Sequence, residues 1–246
     1  MKKQIFGMIL IGLAMNFTSA CTTVVHDSPV QNTTVYQNEP RIIFADNFAP
    51  GNAELRNLWQ NNGKGTWMVQ GPISSLPGCE DGCLRQNSED PRALNAIEYV
   101  TSPQVSDGVI ETQLRYSYEL SVAETAEQRN EKKSYIGSGI IFRMVDVNNF
   151  YMFRLAGEDG VVLGKMVNGN WVDLGNPRRL DFLDGGGKMR PNTWYKLKVI
   201  ARGNYIQCFI NDSSVVSTFD STFTVGKFGL VTFKTVADFE YIKVTE

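Results

Sequence analysis

The side chains best suited to surface chemistry in this chain fall at alternate positions. Glu111, Gln113 and Arg115 repeat with period two, so an extended strand puts them on one face and Ile110, Thr112 and Leu114 on the other. Arg143 ends the apolar run 139–143, where Ile140 and Phe142 share a face and Arg143 points the opposite way; Arg154 and Lys165 stand in two further β-like runs. A carboxylate, an amide and guanidinium forks supply directed acceptors and donors, while an indole ring covers a flat apolar surface. Trp171 or Trp59 is the ring expected beside them. Such a set suits recognition of a polyhydroxyl compound; pairing of the same charges across strands is the plainer use of them.

Other chemistries are limited by what the chain contains. Its one histidine, His26, lies in a polar tract, which leaves no base for a Ser–His or Cys–His pair and no multi-histidine metal site in the body. No Gly-rich phosphate loop opens a helix, so no nucleotide cofactor is expected. Basic residues number 24 against 26 acidic, and loss of Lys2 and Lys3 with a cleaved leader leaves 22 against 26. That balance gives no reason to expect a nucleic acid as partner. Cys79 and Cys83 flank 80–82 in a Pro/Gly-rich turn; a small disulfide loop is expected, with a pair of free thiols as the alternative. Cys208 alternates with Ile206 and Ile210 and should face a core.

The first residues read as a leader. Met1 to Lys3 is positive, 5–15 is apolar apart from two glycines, and Phe17-Thr18-Ser19-Ala20-Cys21 follows with small residues before a cysteine. The apolar run is too short to span a bilayer and fits an export signal of 1–20. The ending resembles the lipobox of bacterial lipoproteins, which implies a lipidated Cys21; Thr18 departs from the usual aliphatic residue, so secretion with cleavage after Ala20 stands as the alternative. Thr22 in place of Asp implies, on the same resemblance, outer-membrane sorting, with the membrane met only through the lipid. Residues 21–40 then read as a tether, rich in Thr, Asn, Gln, Ser and Pro.

From 41 to 246 the chain is a succession of short β runs separated by Gly, Asn, Asp and Pro. The clearest are 65–69, 94–100, 108–118, 135–145, 150–156, 160–167, 194–202, 205–211, 215–219, 227–233 and 239–244. Strands of this kind, each with a half-apolar face, require a second sheet to bury it, which predicts an all-β, two-sheet antiparallel sandwich as one domain. Asn168-Gly169 predicts a hairpin, and 119–133 reads as an exposed loop or short surface helix.

The pieces Phe44-Ala45-Asp46-Asn47-Phe48, Gly65-Thr66-Trp67-Met68-Val69, Ser138-Gly139-Ile140-Ile141-Phe142-Arg143 and Asn148-Asn149-Phe150-Tyr151 come in a telling order. With Trp194-Tyr195-Lys196-Leu197-Lys198-Val199, Gly226-Lys227-Phe228-Gly229-Leu230 and Ala237-Asp238-Phe239-Glu240-Tyr241, they resemble the concanavalin A-like lectin/glucanase superfamily. The likeness is to its laminin-G-like and 3-keto-disaccharide hydrolase-like jelly rolls in particular. It implies first and last strands that pair, a concave sheet carrying a saccharide site, and sometimes a structural calcium, for which Asp46 and Asp238 are the matching carboxylates. Glucanase-like members carry a Glu-x-Asp-x-x-Glu strand that this chain lacks, and no catalytic carboxylate set transfers, although Glu111 is the first candidate for acid/base work. The expectation is therefore an envelope lipoprotein that binds an oligosaccharide or polysaccharide rather than an enzyme. A protein-binding or structural envelope component and a glycoside-active hydrolase are the alternatives.

Overall fold

The computed structural model describes residues 39–74, 76–87, 95–117, 137–157, 160–175, 180, 183 and 189–246. The leader, Cys21, Thr22, His26 and the stretch 119–133 lie outside the described residues. Along the chain come β1 (Ile42–Asp46), a single helical turn α1 (Ala53–Arg56), β2 (Trp59–Asn61), β3 (Trp67–Gln70), β4 (Cys83–Gln86), β5 (Ala96–Val105) and β6 (Gly108–Ser117). They continue with β7 (Gly137–Asp146), β8 (Asn149–Ala156), β9 (Gly160–Val167), β10 (Asn170–Asp173), β11 (Tyr195–Arg202) and β12 (Tyr205–Ile210). The last are β13 (Ser213–Phe219), β14 (Gly226–Phe233) and β15 (Val236–Thr245).

These strands form two antiparallel sheets. The first runs β13-β12-β11-β6-β15-β4-β3, and β1 shares one edge of β15 with β4; the second runs β10-β9-β8-β7-β14-β5-β2. β15 is the seam of the first sheet: Val236–Thr245 pairs along its whole length with β6, while Ala237 to Phe239 meets β4 and Ile242 to Thr245 meets β1. The predicted pairing of first and last strands is thus present. Between the sheets lies one core, in which Phe142, Phe153, Phe228, Leu197 and Phe239 are fully buried. Each such side chain stabilises the fold by about 2–3 kcal/mol relative to exposure.

Alternation works as read in β6, where Ile110, Thr112 and Leu114 are buried and Glu111, Gln113 and Arg115 half-buried. Asn168 and Gly169, with φ of 50° and 78°, make the two-residue turn that joins β9 to β10. The second sheet differs from expectation, because its outer face is apolar too. Ile97, Ile141, Phe150, Met152 and Val231 form a separate buried cluster there, with Tyr99, Met166 and Trp171 packed against it.

Candidate functional site

The seven side chains read as one ligand set fall in three places. Glu111, Gln113 and Arg115 share the outer face of the first sheet, where the two charged ones are spent on cross-strand pairs. Glu111 pairs with Lys196 at 3.3 Å, and Arg115 pairs with Asp238 at 2.7 Å while lying 5.5 Å over the Trp194 ring. Arg143 and Trp59 are interior. Arg154 and Trp171 lie on the outer face of the second sheet.

Arg143 corrects the alternation argument. The register of β7 against β8 shifts between Phe142 and Asp146, and Arg143 takes φ of 46°, the left-handed region. This bulge turns the side chain back to the inner side instead of carrying it outward. Only 2% exposed, it donates from Nε to Ser106 O (2.8 Å), from Nη1 to Phe223 O (3.2 Å) and from Nη2 to Asp107 Oδ1 (3.2 Å). Asp107 Oδ1 also accepts the Gly203 N–H, so one guanidinium ties three turns at one end of the sandwich.

Trp59 is a core residue whose indole N–H donates to Asp46 Oδ2 at 3.0 Å, with Phe44 and Phe48 against its ring. Asp46 further accepts the Phe48 N–H and pairs with Arg56. Asp238 is held by Arg85 at 3.3 Å and by Arg115. The expected calcium carboxylates are therefore two separate arginine-neutralised groups, which do not fit one hard cation that needs several free oxygens. No group of three His, Cys, Asp or Glu side chains that could hold a metal occurs among the described residues. Lys165 donates to Asp220 and Thr222, both at 2.6 Å. Cys79 and Cys83 are buried thiols hydrogen-bonded to each other, where a bridge was expected.

The outer face of the second sheet is where ring, cation and carboxylate meet. Trp171 and Asp173 stand two apart on β10 and so point the same way; the Trp171 indole N–H donates to Asp173 Oδ1 at 2.7 Å. Gly164, next door on β9, makes this possible, since a Cβ there would lie 2.2 Å from the Trp171 ring. Arg154 on β8 belongs to this face but is only 8% exposed: its Nη1 donates to Leu155 O at 3.0 Å, and it packs between the glycines of β7 and the Phe233 ring, 4.7 Å from its guanidinium carbon. A Cβ at Gly137 would sit 2.9 Å from Arg154 Nη1, and at Gly139 2.6 Å from Arg154 Cβ. Glycine at both positions thus clears a trough for the guanidinium. Burial pulls the Arg154 pKa down to about 10, with the Asp173 charge opposing the shift. The group stays cationic at neutral pH, and its poor solvation leaves its charge little screened.

Across the same face, Tyr99 on β5 donates to Gln60 Oε1 at 3.1 Å and carries Lys227 Nζ 5.2 Å over its ring. The floor between Tyr99 and Asp173 crosses Gly229, Ile141, Met152 and Gly164 in register. It spans five inter-strand steps, about 24 Å. Sequence reasoning found Arg154 and Trp171 and missed Asp173, although its i+2 spacing from Trp171 was visible.

A family profile described as the 3-keto-alpha-glucoside-1,2-lyase-like domain matches residues 49–245, most of the chain. The chain belongs to that family. Among solved structures, this lyase-like domain is similar to the carbohydrate binding module CBM66 from Bacillus subtilis: TM-score 0.53, 20% identity, 74% of this chain and 91% of that one. It is also similar to a Bacillus subtilis protein of unknown function with a galectin-like fold, with TM-score 0.54 and 11% identity over 84% of this chain and 97% of the other. A third is the Bacillus licheniformis beta-glucanase, with TM-score 0.50 and 13% identity over 82% and 97%. At these identities the likenesses establish the concanavalin A-like jelly roll and nothing finer. A search of curated proteins returns no match. Membership in the lyase-like family overturns the expectation of a binder ahead of an enzyme, because the family is described by a bond-breaking reaction.

Proposed function

We propose that this lyase-like domain cleaves a 3-keto-glycoside on the outer face of the second sheet, by elimination between C1 and C2 of the sugar. The observation that carries the reading is the placement of Arg154, Trp171 and Asp173 together on that face. A ketone at C3 acidifies the C2 hydrogen, so the reaction needs a base at C2, a cation at the ketone oxygen and a surface under the ring. In this reading Asp173 takes the C2 proton and the C–H pair becomes the C1=C2 bond. The glycosidic oxygen then leaves with its bonding pair and takes up a proton. Arg154 stabilises the negative charge that develops on the ketone oxygen, the kind of preorganised electrostatic help worth most at a desolvated site. Trp171 stacks on the sugar ring. No water is consumed, and the products are an unsaturated keto sugar and the freed alcohol.

The partner in this reading is a carbohydrate, met in the cell envelope if Cys21 carries lipid. The test uses an aryl 3-keto-α-glucoside, following aryl alcohol release together with the ultraviolet absorption of the enone product. Release with that absorption, slowed about 10²–10⁴-fold in Asp173→Asn, is the expected result. Release without the enone signal means hydrolysis and overturns elimination; full activity in both Asp173→Asn and Arg154→Lys overturns the site.

A further inference from the structure

The connection from β3 to β4 holds two sulfurs in a place that nothing in the proposed reaction uses. Its chain turns back on itself: Ile73 N–H donates to Cys79 O, Cys79 N–H to Leu76 O and Gly82 N–H to Cys79 O. The last of these closes a tight turn over 79–82 and delivers Cys83, the first residue of β4, beside Cys79. Both thiols are fully buried and hydrogen-bonded to each other. Gly82 is pressed so closely on the chain after β1 that a Cβ there would lie 2.7 Å from Phe48 O. The turn is therefore fixed on both sides and the two sulfurs cannot drift apart without undoing it.

From outside, one side chain fastens this loop to the first sheet. Trp194 donates its indole N–H to Pro77 O at 2.5 Å, and its ring packs so closely on Gly78 that a Cβ there would lie 2.6 Å from it. Arg115 covers that ring and holds Asp238 on β15. The loop also walls a recess of about 200 Å³ that Glu240 and Tyr241 close from β15.

We propose that Cys79 and Cys83 are a modification site: a dithiol that a disulfide oxidant converts to a structural bridge while the domain folds. The balance is two thiols giving one S–S bond, with two protons and two electrons passing to the oxidant, whose own disulfide becomes two thiols. Burial keeps the reduced pair inert once folded, because the attacking species is the thiolate and desolvation opposes it at both sulfurs. Cys208 is separate; it is wholly buried in the core on β12. The bridge closes a loop of only five residues, for which the chain-entropy relation gives an increase of about thirtyfold in the folded-to-unfolded ratio. This inference stands apart from the proposed reaction, and its readout is mass and stability, not turnover.

The experiment refolds the full chain from urea with either oxidised and reduced glutathione or reductant alone, then alkylates in denaturant and maps the cysteines by peptide mass. The expected result is a linked peptide pair joining Cys79 to Cys83 in the glutathione sample, with Cys208 alkylated in both samples. Urea titration of the bridged form should show the thirtyfold gain, and Cys79→Ser/Cys83→Ser should titrate like the reduced protein. Full alkylation of both cysteines after refolding with oxidant, or a bridge from either one to Cys208, overturns the proposal.

Discussion

Replacing Glu98 by glutamine should remove a pH dependence that the folded state itself creates. Glu98 pairs in register with Asn61 across β5 and β2. Burial raises its carboxyl to about 7 from an ordinary 4.5, with the Arg56 charge and the Asn61 hydrogen bond pulling the other way. The unfolded chain loses this proton first as pH rises, so between about 4.5 and 7 the folded state binds more protons and stability falls with rising pH. At about 1.4 kcal/mol for each pH unit of displacement, the ceiling is roughly 3 kcal/mol. Partial solvent exposure reduces the expected effect to about 1–2 kcal/mol. The assay is urea unfolding of the native protein and Glu98→Gln at half-unit steps from pH 4.5 to 8. Glutamine keeps the shape and a partner for Asn61, so the two curves should diverge through the window, with the variant gaining as pH rises, and run parallel above it. A difference constant to within about 0.3 kcal/mol from end to end would refute the reasoning.

Arg143→Ala should lower stability by about 2–4 kcal/mol in urea titration, since it removes three hydrogen bonds and leaves turn carbonyls unpaired, while the KM for a keto-glycoside stays unchanged. Asp220 accepts hydrogen bonds from Tyr151, Lys165 and Thr222, which outweigh its desolvation and hold its carboxyl below the usual range. Its contribution is present above the unfolded value and lost as pH falls, so Asp220→Asn should flatten the loss of thermal stability below about pH 4. Gly137→Ala puts a methyl group 1.8 Å from Leu155 O and should cost about 3 kcal/mol or more, whereas Gly160→Ala, with nothing within 4 Å, should stay within about 0.5 kcal/mol by thermal melting. In a diderm host, intact-mass analysis should find acyl chains on the mature protein that Cys21→Ser abolishes.

The sandwich was legible because its strands obey a two-residue period wherever one face meets the core, as in β6 and β11. Where the period fails, the reason is local geometry that residue types do not announce. Arg143 reads as outward-facing until a bulge at a left-handed residue adds one position to β7. Trp59 has the composition of a sugar platform, and only the partner at Asp46, thirteen residues away, marks it as core. On the second sheet the apolar outer face was written in β7 and β8, where residues 137–144 and 150–155 are all buried. Strands buried on both faces read as continuous apolar runs, not as alternation. Asp173 was missed because the strand after the Asn-Gly turn was read for its ring at Trp171 alone, and the value of the carboxylate depends on Arg154 two strands away.

The place of β15 has a consequence for how the polypeptide is made. Residues Val236–Thr245 leave the ribosome after the other described strands of the two sheets, yet they supply the middle of the first sheet and bond to β6, β4 and β1. Until they emerge, β6 lacks one neighbour and β1 has no strand partner, and the long-range contacts that would close the domain are missing. A nascent chain stalled or cut before Val236 carries open edges that invite pairing with other chains. The order of synthesis thus keeps this domain from closing early and leaves the unfinished polypeptide dependent on whatever shields such edges in transit.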